Sequence, residues 1–201
     1  MEKDDARAGA GLKRVVLTGA ESTGKTTLAR RLAGHYGTVW VPEYLRRFVD
    51  EKGALPEAHD VDAIARGHLA SVAALRPRAR RVLFLDTDLI STVLYQTHFF
   101  GTCPAWVRAA SYEHQGDLYL LLADDIPWVP DPGQRDGPEA RVFFQRQFEA
   151  ELLRRGVPFV RVAGPPEVRF RTAVAAVDRL LGPAVVSAAS GTRSTLPPGS
   201  L

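Results

Sequence analysis

RVVLTGAESTGKTTLARRLAGHY, Arg14 to Tyr36, decides how the rest of the chain is read. Arg14–Thr18 reads as a strand, and a helix runs from about Gly24 to Tyr36. Between them, Gly19, Gly24, Lys25 and Thr26 match the spacing G-x-x-x-x-G-K-[ST]. Glycines let the backbone curl until successive N–H groups point inward at phosphate oxygens, and the helix that follows adds the positive end of its dipole. A lysine at this position reaches the β- and γ-phosphates, and the threonine offers its hydroxyl to Mg²⁺. The whole stretch Gly19, Ala20, Glu21, Ser22, Thr23, Gly24, Lys25, Thr26, Thr27 is therefore the expected ATP-binding loop, with Mg²⁺ as the accompanying ion.

Outward from this loop, short apolar runs alternate with helical segments. TVWV ends a second strand at Val41, and two helical stretches follow, split around the turn-rich KGALPEAHD. RVLFLD closes a third strand at Asp86, helical pieces flank GTCP, and DLYLLLA is a fourth strand. Phe144, Phe148 and Leu152 recur at four-residue spacing in a helix from Pro138 that stops at Gly156; PFVRVA is a fifth strand, and Pro166–Leu181 a last helix. Continuous apolar strands alternating with helices predict an α/β, P-loop NTPase-type three-layer fold: about five parallel strands with helices on both faces. Residues 1–12 read as a flexible N-terminus, 13–182 as one domain and 183–201 as a disordered tail of small residues, Ser, Thr and Pro.

Composition narrows the function class. At 201 residues, 45% hydrophobic and 24% charged, the chain has an ordinary soluble make-up. No run approaches the ~18 apolar residues that span a bilayer, and MEKDDARAGAG has no apolar core of a secretory signal. The lone Cys103 forbids an internal disulfide, which suits a reducing cytoplasm. The net charge of +3 comes mostly from arginines dispersed along the chain, which speaks against a nucleic-acid partner. The five histidines show no metal-ligand spacing.

Ligands of such folds bind at the carboxyl ends of the strands, so the chemistry is expected just after each strand. After the second strand stands VPEYLRRF. Glu43 is placed to accept a proton from a substrate hydroxyl, with Tyr44 and Arg47 as pocket walls; the plain alternative is an acidic residue favoured in the first helical turn. Asp86, at the end of an apolar strand, is expected at the metal beside Thr26, and Asp88 either binds substrate hydroxyls or caps the next helix. The proline-rich PWVPDPGQRDG after the fourth strand reads as a lid rather than a linker, because later elements are needed to complete the same sheet. Arg135 and Arg141 are its candidate cations, and Trp128 could stack on a flat base. The fifth strand end, AGPPEVRFRTA, resembles an adenine-side turn.

GAESTGKTTLARRLA, VPEYLRR, LDTD followed by Leu89–Tyr95, and DIPWVPDPGQRD, in this order, resemble the ribosylnicotinamide kinase domain of the NadR family, a P-loop kinase related to nucleoside and nucleoside-monophosphate kinases. The resemblance runs from about Val15 to Leu181. It implies ATP-dependent phosphorylation of the 5′-hydroxyl of nicotinamide riboside, giving nicotinamide mononucleotide. It also implies that Lys25 and Thr26 hold the triphosphate and Mg²⁺, that Asp86 acts at the metal, that Glu43, Asp88, Trp128 and Asp131 line the riboside site, and that Arg135 belongs to the lid. The loop departs from the family in reading D-P-G-Q-R where a tighter D-G-x-R is expected. With about a dozen residues before the first strand, neither the adenylyltransferase nor the DNA-binding domain of NadR proteins is expected. Two other readings stay open: a kinase for another nucleoside, nucleotide or vitamin substrate, and an ATP-binding regulatory module with no small acceptor. A homo-oligomer is also left open.

Overall fold

The structure, a computed structural model, describes residues 11–128 and 138–182. Five strands, β1 (Lys13–Thr18), β2 (Trp40–Val41), β3 (Val82–Asp86), β4 (Leu118–Leu122) and β5 (Phe159–Val162), form one sheet in the order β2-β3-β1-β4-β5, every neighbouring pair parallel. The helices are α1 (Lys25–Tyr36), α2 (Tyr44–Lys52), α3 (Val61–Leu75), α4 (Leu89–Phe100), α5 (Ala105–Glu113), α6 (Pro138–Arg155) and α7 (Pro166–Leu181).

Covering the sheet on both faces is what makes its central strands continuously apolar. Along β1, Val15 and Leu17 point into a core shared with Leu28 and Leu32 of α1 and Val177 of α7. Val16 points the other way, into a core closed by Phe144, Phe148 and Leu152 of α6. Those three, spaced by four, are at most 1% exposed, as the helical repeat predicts. A third, smaller core joins α3, α4 and α5 through Ala65, Leu89, Val93, Cys103 and Val107.

The second strand is two residues long, shorter than the four expected. Thr38 is drawn instead into side-chain bonding: its hydroxyl donates to the Val82 carbonyl (2.8 Å) and accepts from Arg80 N–H (2.9 Å), so it ties the edge without extending the ladder. Around KGALPEAHD, Gly53 ends α2 at φ 69°, and Lys52 bridges to Asp60 at 2.5 Å, drawing the two ends of the turn together. The strand order places β1 between β3 and β4, where connections leave the sheet in opposite directions. Its carboxyl end is thus the switch point where such sheets bind ligands. Among the described residues, no helix is long and apolar enough to cross a membrane. The expected N-terminal and C-terminal extensions fall, apart from Gly11 and Leu12, outside the described residues.

Candidate functional site

At the switch point the chain leaves β1 and curls. Gly19 has φ 125°, and a Cβ there would lie 2.7 Å from the Leu122 carbonyl oxygen, so only glycine fits. Ser22 (φ 53°) and Gly24 (φ 85°) are left-handed, and Gly24 opens α1 with no side-chain cap, leaving the first helical N–H groups facing the loop. Thr23 is fully buried and donates to the Ala20 carbonyl at 2.8 Å, closing the curl from within. Lys25 arches over it, donating to the carbonyls of Gly19 (3.1 Å) and Ala20 (2.7 Å). The backbone of the predicted phosphate loop is formed as its spacing requires; Thr27, at its end, is exposed.

Beside it, Thr26 Oγ1 donates to Asp86 Oδ2 at 2.5 Å. Asp86 is 1% exposed, and its other oxygen, Oδ1, is buried without a hydrogen-bond partner among the described residues. Burial pushes the Asp86 carboxyl above the usual carboxylate range, opposed by Lys25, the Thr26 hydroxyl and Arg46. An unpaired buried carboxylate oxygen next to a threonine hydroxyl at a phosphate loop is a hard, all-oxygen donor set. It fits Mg²⁺, which binds through few protein groups and keeps the rest of its shell for water and phosphate.

From this end a cleft of about 240 Å³ runs between α2, α3 and α4. Its wall includes Gly19, Glu21 and Lys25, then Glu43, Tyr44 and Arg46, and beyond them His68, Asp88, Thr92, Tyr95, Gln96 and Phe99. Of the residues expected in a substrate pocket, Glu43 and Tyr44 are there. Arg47 is not: it points outward with 68% of its side chain exposed and pairs with Glu51 at 2.7 Å. One residue on a helix is a rotation of about 100°, and Arg46 takes the cleft position instead. The i,i+4 Arg47–Glu51 spacing was the available signal that Arg47 faces solvent.

Asp88 realises the capping alternative. Its Oδ1 accepts the Ile90 N–H (2.9 Å) and its Oδ2 the Tyr119 hydroxyl (2.7 Å), leaving the residue 5% exposed on the cleft wall. Trp128 is part-buried, the last described residue before 129–137, and is not among the cleft-lining residues. Asp131 and Arg135 lie outside the described residues. Arg141 is 6% exposed against the outer side of the phosphate loop, donating to the carbonyls of Ile126 (2.9 Å) and Ser22 (3.3 Å). The fifth strand end contributes Arg169, 5% exposed, which donates to the carbonyls of Gly164 (2.7 Å), Thr23 (2.9 Å) and Ala123 (2.9 Å) and pairs with Asp125.

Two cleft residues carried little sequence signal. His68 is buried, and desolvation, aided by His114, lowers its imidazole to about 4. It is neutral at pH 7 and offers the cleft one donor or one acceptor. Gly67, next to it, faces the Tyr44 ring so closely that a Cβ would lie 2.0 Å from it. A glycine inside a helical run was the one hint of such an approach.

A P-loop nucleotide-binding domain of the nucleotide-kinase type is the class that this loop, this strand order and the Thr26–Asp86 pair define. The chain belongs to the AAA domain family, whose profile matches residues 14–169. Over 178 residues, 85% of the chain, it is 32% identical to the trifunctional NAD biosynthesis/regulator protein NadR of Escherichia coli (strain K12) and 31% identical to that of Salmonella typhimurium (strain LT2). The matched stretch is 43% of each relative, so the chain spans less than half the length of these curated homologues. Among solved structures, a NadR protein in complex with NR superposes with a TM-score of 0.71 at 24% identity, covering 84% of this chain and 49% of that one. A NadR protein with NAD and AMP-PNP gives 0.70 at 22% identity, over 87% and 51%. Thymidylate kinase from Ehrlichia chaffeensis gives 0.59 at 14% identity, over 83% and 99%. These likenesses show a shared fold.

Burial raises the Asp88 carboxyl to about 6, against an ordinary value near 4, so the folded state holds its proton more tightly than the unfolded chain. The resulting stabilisation is full below about pH 4 and is lost as pH rises through about 6. The stability of Asp88→Asn relative to the parent should therefore rise by on the order of 3 kcal/mol between pH 4 and pH 7; a flat difference in urea titrations across that window contradicts it. Gly67→Ala should push the Tyr44 ring from its seat, destabilising the fold by roughly 1–3 kcal/mol in the same titrations. An unchanged midpoint would mean the ring moves freely.

Proposed function

We propose that the protein transfers the γ-phosphoryl group of ATP to the 5′-hydroxyl of nicotinamide riboside, giving nicotinamide mononucleotide. One observation carries this reading. A single cleft has both phosphate-loop residues, Gly19 and Lys25, and a carboxylate with aromatic neighbours, Glu43, Tyr44, Tyr95 and Phe99, in its wall. Similarity to NadR over most of the chain, together with a NadR structure bound to NR, supports the choice of riboside. A flat pyridinium cation also suits a wall of aromatic faces and carboxylates.

Phosphoryl transfer of this kind is mostly positioning and charge neutralisation. The loop N–H groups and Lys25 hold the triphosphate, while Thr26 and Asp86 are the residues that would hold Mg²⁺. When bound, the metal supplies neutralisation of the phosphate oxygens. Glu43 takes the proton of the attacking hydroxyl; Asp86 is less suited, because one oxygen is already engaged by Thr26 and the other, buried and unpaired among the described residues, is the one that would hold Mg²⁺. Arg46, on the cleft wall near enough to act on Asp86, adds positive charge from the acceptor side. Arg135 and Asp131, in the segment after Trp128, belong to this proposal as lid and riboside contacts.

Glu43→Gln should lower riboside-dependent ADP formation by about a hundredfold or more and leave ATP affinity as it is, whereas Lys25→Ala should abolish turnover. Both are read from ADP release with nicotinamide riboside as acceptor. Full activity in Glu43→Gln would remove the proton-acceptor role, and absence of riboside-dependent product from the parent protein would overturn the function.

A further inference from the structure

Three side chains from α6 and α7 each hold one peptide of the phosphate loop and one carbonyl at the exit of β4. Gln145 accepts the Ala20 N–H (3.1 Å) and donates to the Leu122 carbonyl (3.0 Å). Arg141 joins the carbonyls of Ser22 (3.3 Å) and Ile126 (2.9 Å). Arg169 joins those of Thr23 (2.9 Å) and Ala123 (2.9 Å), and its own position is set by Gly164 and Asp125. Both arginines are at most 6% exposed. Buried cations are costly to desolvate; Arg169 has the Asp125 carboxylate beside it, the other hydrogen bonds of both among the described residues go to main-chain oxygens, and neither lines the acceptor cleft.

The peptide unit says what they do. In a planar trans peptide the C=O and the following N–H point in opposite directions. Drawing the Ser22 carbonyl outward onto Arg141 turns the Thr23 N–H inward, and drawing the Thr23 carbonyl onto Arg169 turns the Gly24 N–H inward. A guanidinium on the carbonyl also polarises the peptide, strengthening the N–H as a donor. Ser22 lies at φ 53°, a conformation that a non-glycine residue rarely holds without outside support.

We infer that Arg141 and Arg169 are positioning residues for the nucleotide: acting through the Ser22–Thr23 and Thr23–Gly24 peptides, they aim two loop N–H groups at the triphosphate. Each also ties that peptide to the chain that leads from β4 toward residues 129–137. This concerns the nucleotide half of the cleft and stands whatever the acceptor is.

The test is the affinity of a fluorescent Mg-ATP analogue for R169Q, R141Q and R169K, beside R155Q. Arg155 is an arginine whose side chain is 1% exposed and whose donors go to Ser111 and Glu151, away from the loop. All are measured well below their melting temperatures. R169Q and R141Q should bind the nucleotide about ten- to a hundredfold more weakly, the worth of one donor to a charged group. R155Q should bind as the parent does even where its melting temperature drops. R169K should not restore affinity, because one ammonium cannot span the Thr23 and Ala123 carbonyls in the fixed geometry of a guanidinium. Unchanged affinity in R169Q, an equal loss in R155Q, or full rescue by lysine would each overturn the inference. Should R169Q fail to fold, R141Q and R169K carry the same comparison.

Discussion

A loop that offers its N–H groups to phosphate has to place its carbonyls elsewhere, and buried carbonyls need donors. This constraint organises much of the molecule. Lys25 takes the carbonyls of Gly19 and Ala20, with Thr23 Oγ1 sharing the latter. Arg141 takes Ser22, Arg169 takes Thr23, and Leu28 N–H takes Gly24 as the first helical bond. The donors come from α1, α6 and α7, elements from both faces of the sheet. The five parallel strands therefore serve less as a platform for the loop than as the means of bringing those helices to its back.

The same economy shapes the Thr26–Asp86 pair. Asp86 closes β3 one strand away from β1, with Leu17 as its ladder neighbour, and its side chain meets Thr26 at the first turn of α1. Burial alone would favour the neutral acid; Lys25 and Arg46 oppose that shift. The charges that suit a triphosphate thus also temper the rise that burial imposes on this carboxyl. At the other end of the cleft the environment changes, with a neutral His68 and aromatic rings in place of the lysine and arginine.

Local signals in the chain carried the fold. Five apolar runs, the glycine spacing of the loop, the fourfold repeat of Phe144, Phe148 and Leu152, and an aspartate at the end of β3 each depend on neighbours a few residues away. Contacts between distant positions left no such mark. Gln145 meets Ala20 across 125 residues and Arg169 meets Thr23 across 146, and nothing in QRQF or EVRF announces it. The charge of Arg141 suggests a lid cation, while its hydrogen bonds go to main-chain oxygens. Arg47 and Arg46 show a different limit: both are basic, and only the phase of α2 decides which one enters the cleft. Asp88 stood between two roles because an N-cap and a ligand contact need the same residue type at the same strand end.

The central claim is that the phosphate loop and the Glu43 side of the cleft serve one reaction, with a riboside as acceptor. It is tested most directly by presenting Mg-ATP and an equimolar panel of nucleosides, including nicotinamide riboside, and identifying phosphorylated products by mass. Nicotinamide mononucleotide should be the dominant product, formed in step with ADP. ADP release that no nucleoside stimulates, or a different nucleotide as the main product, would contradict it.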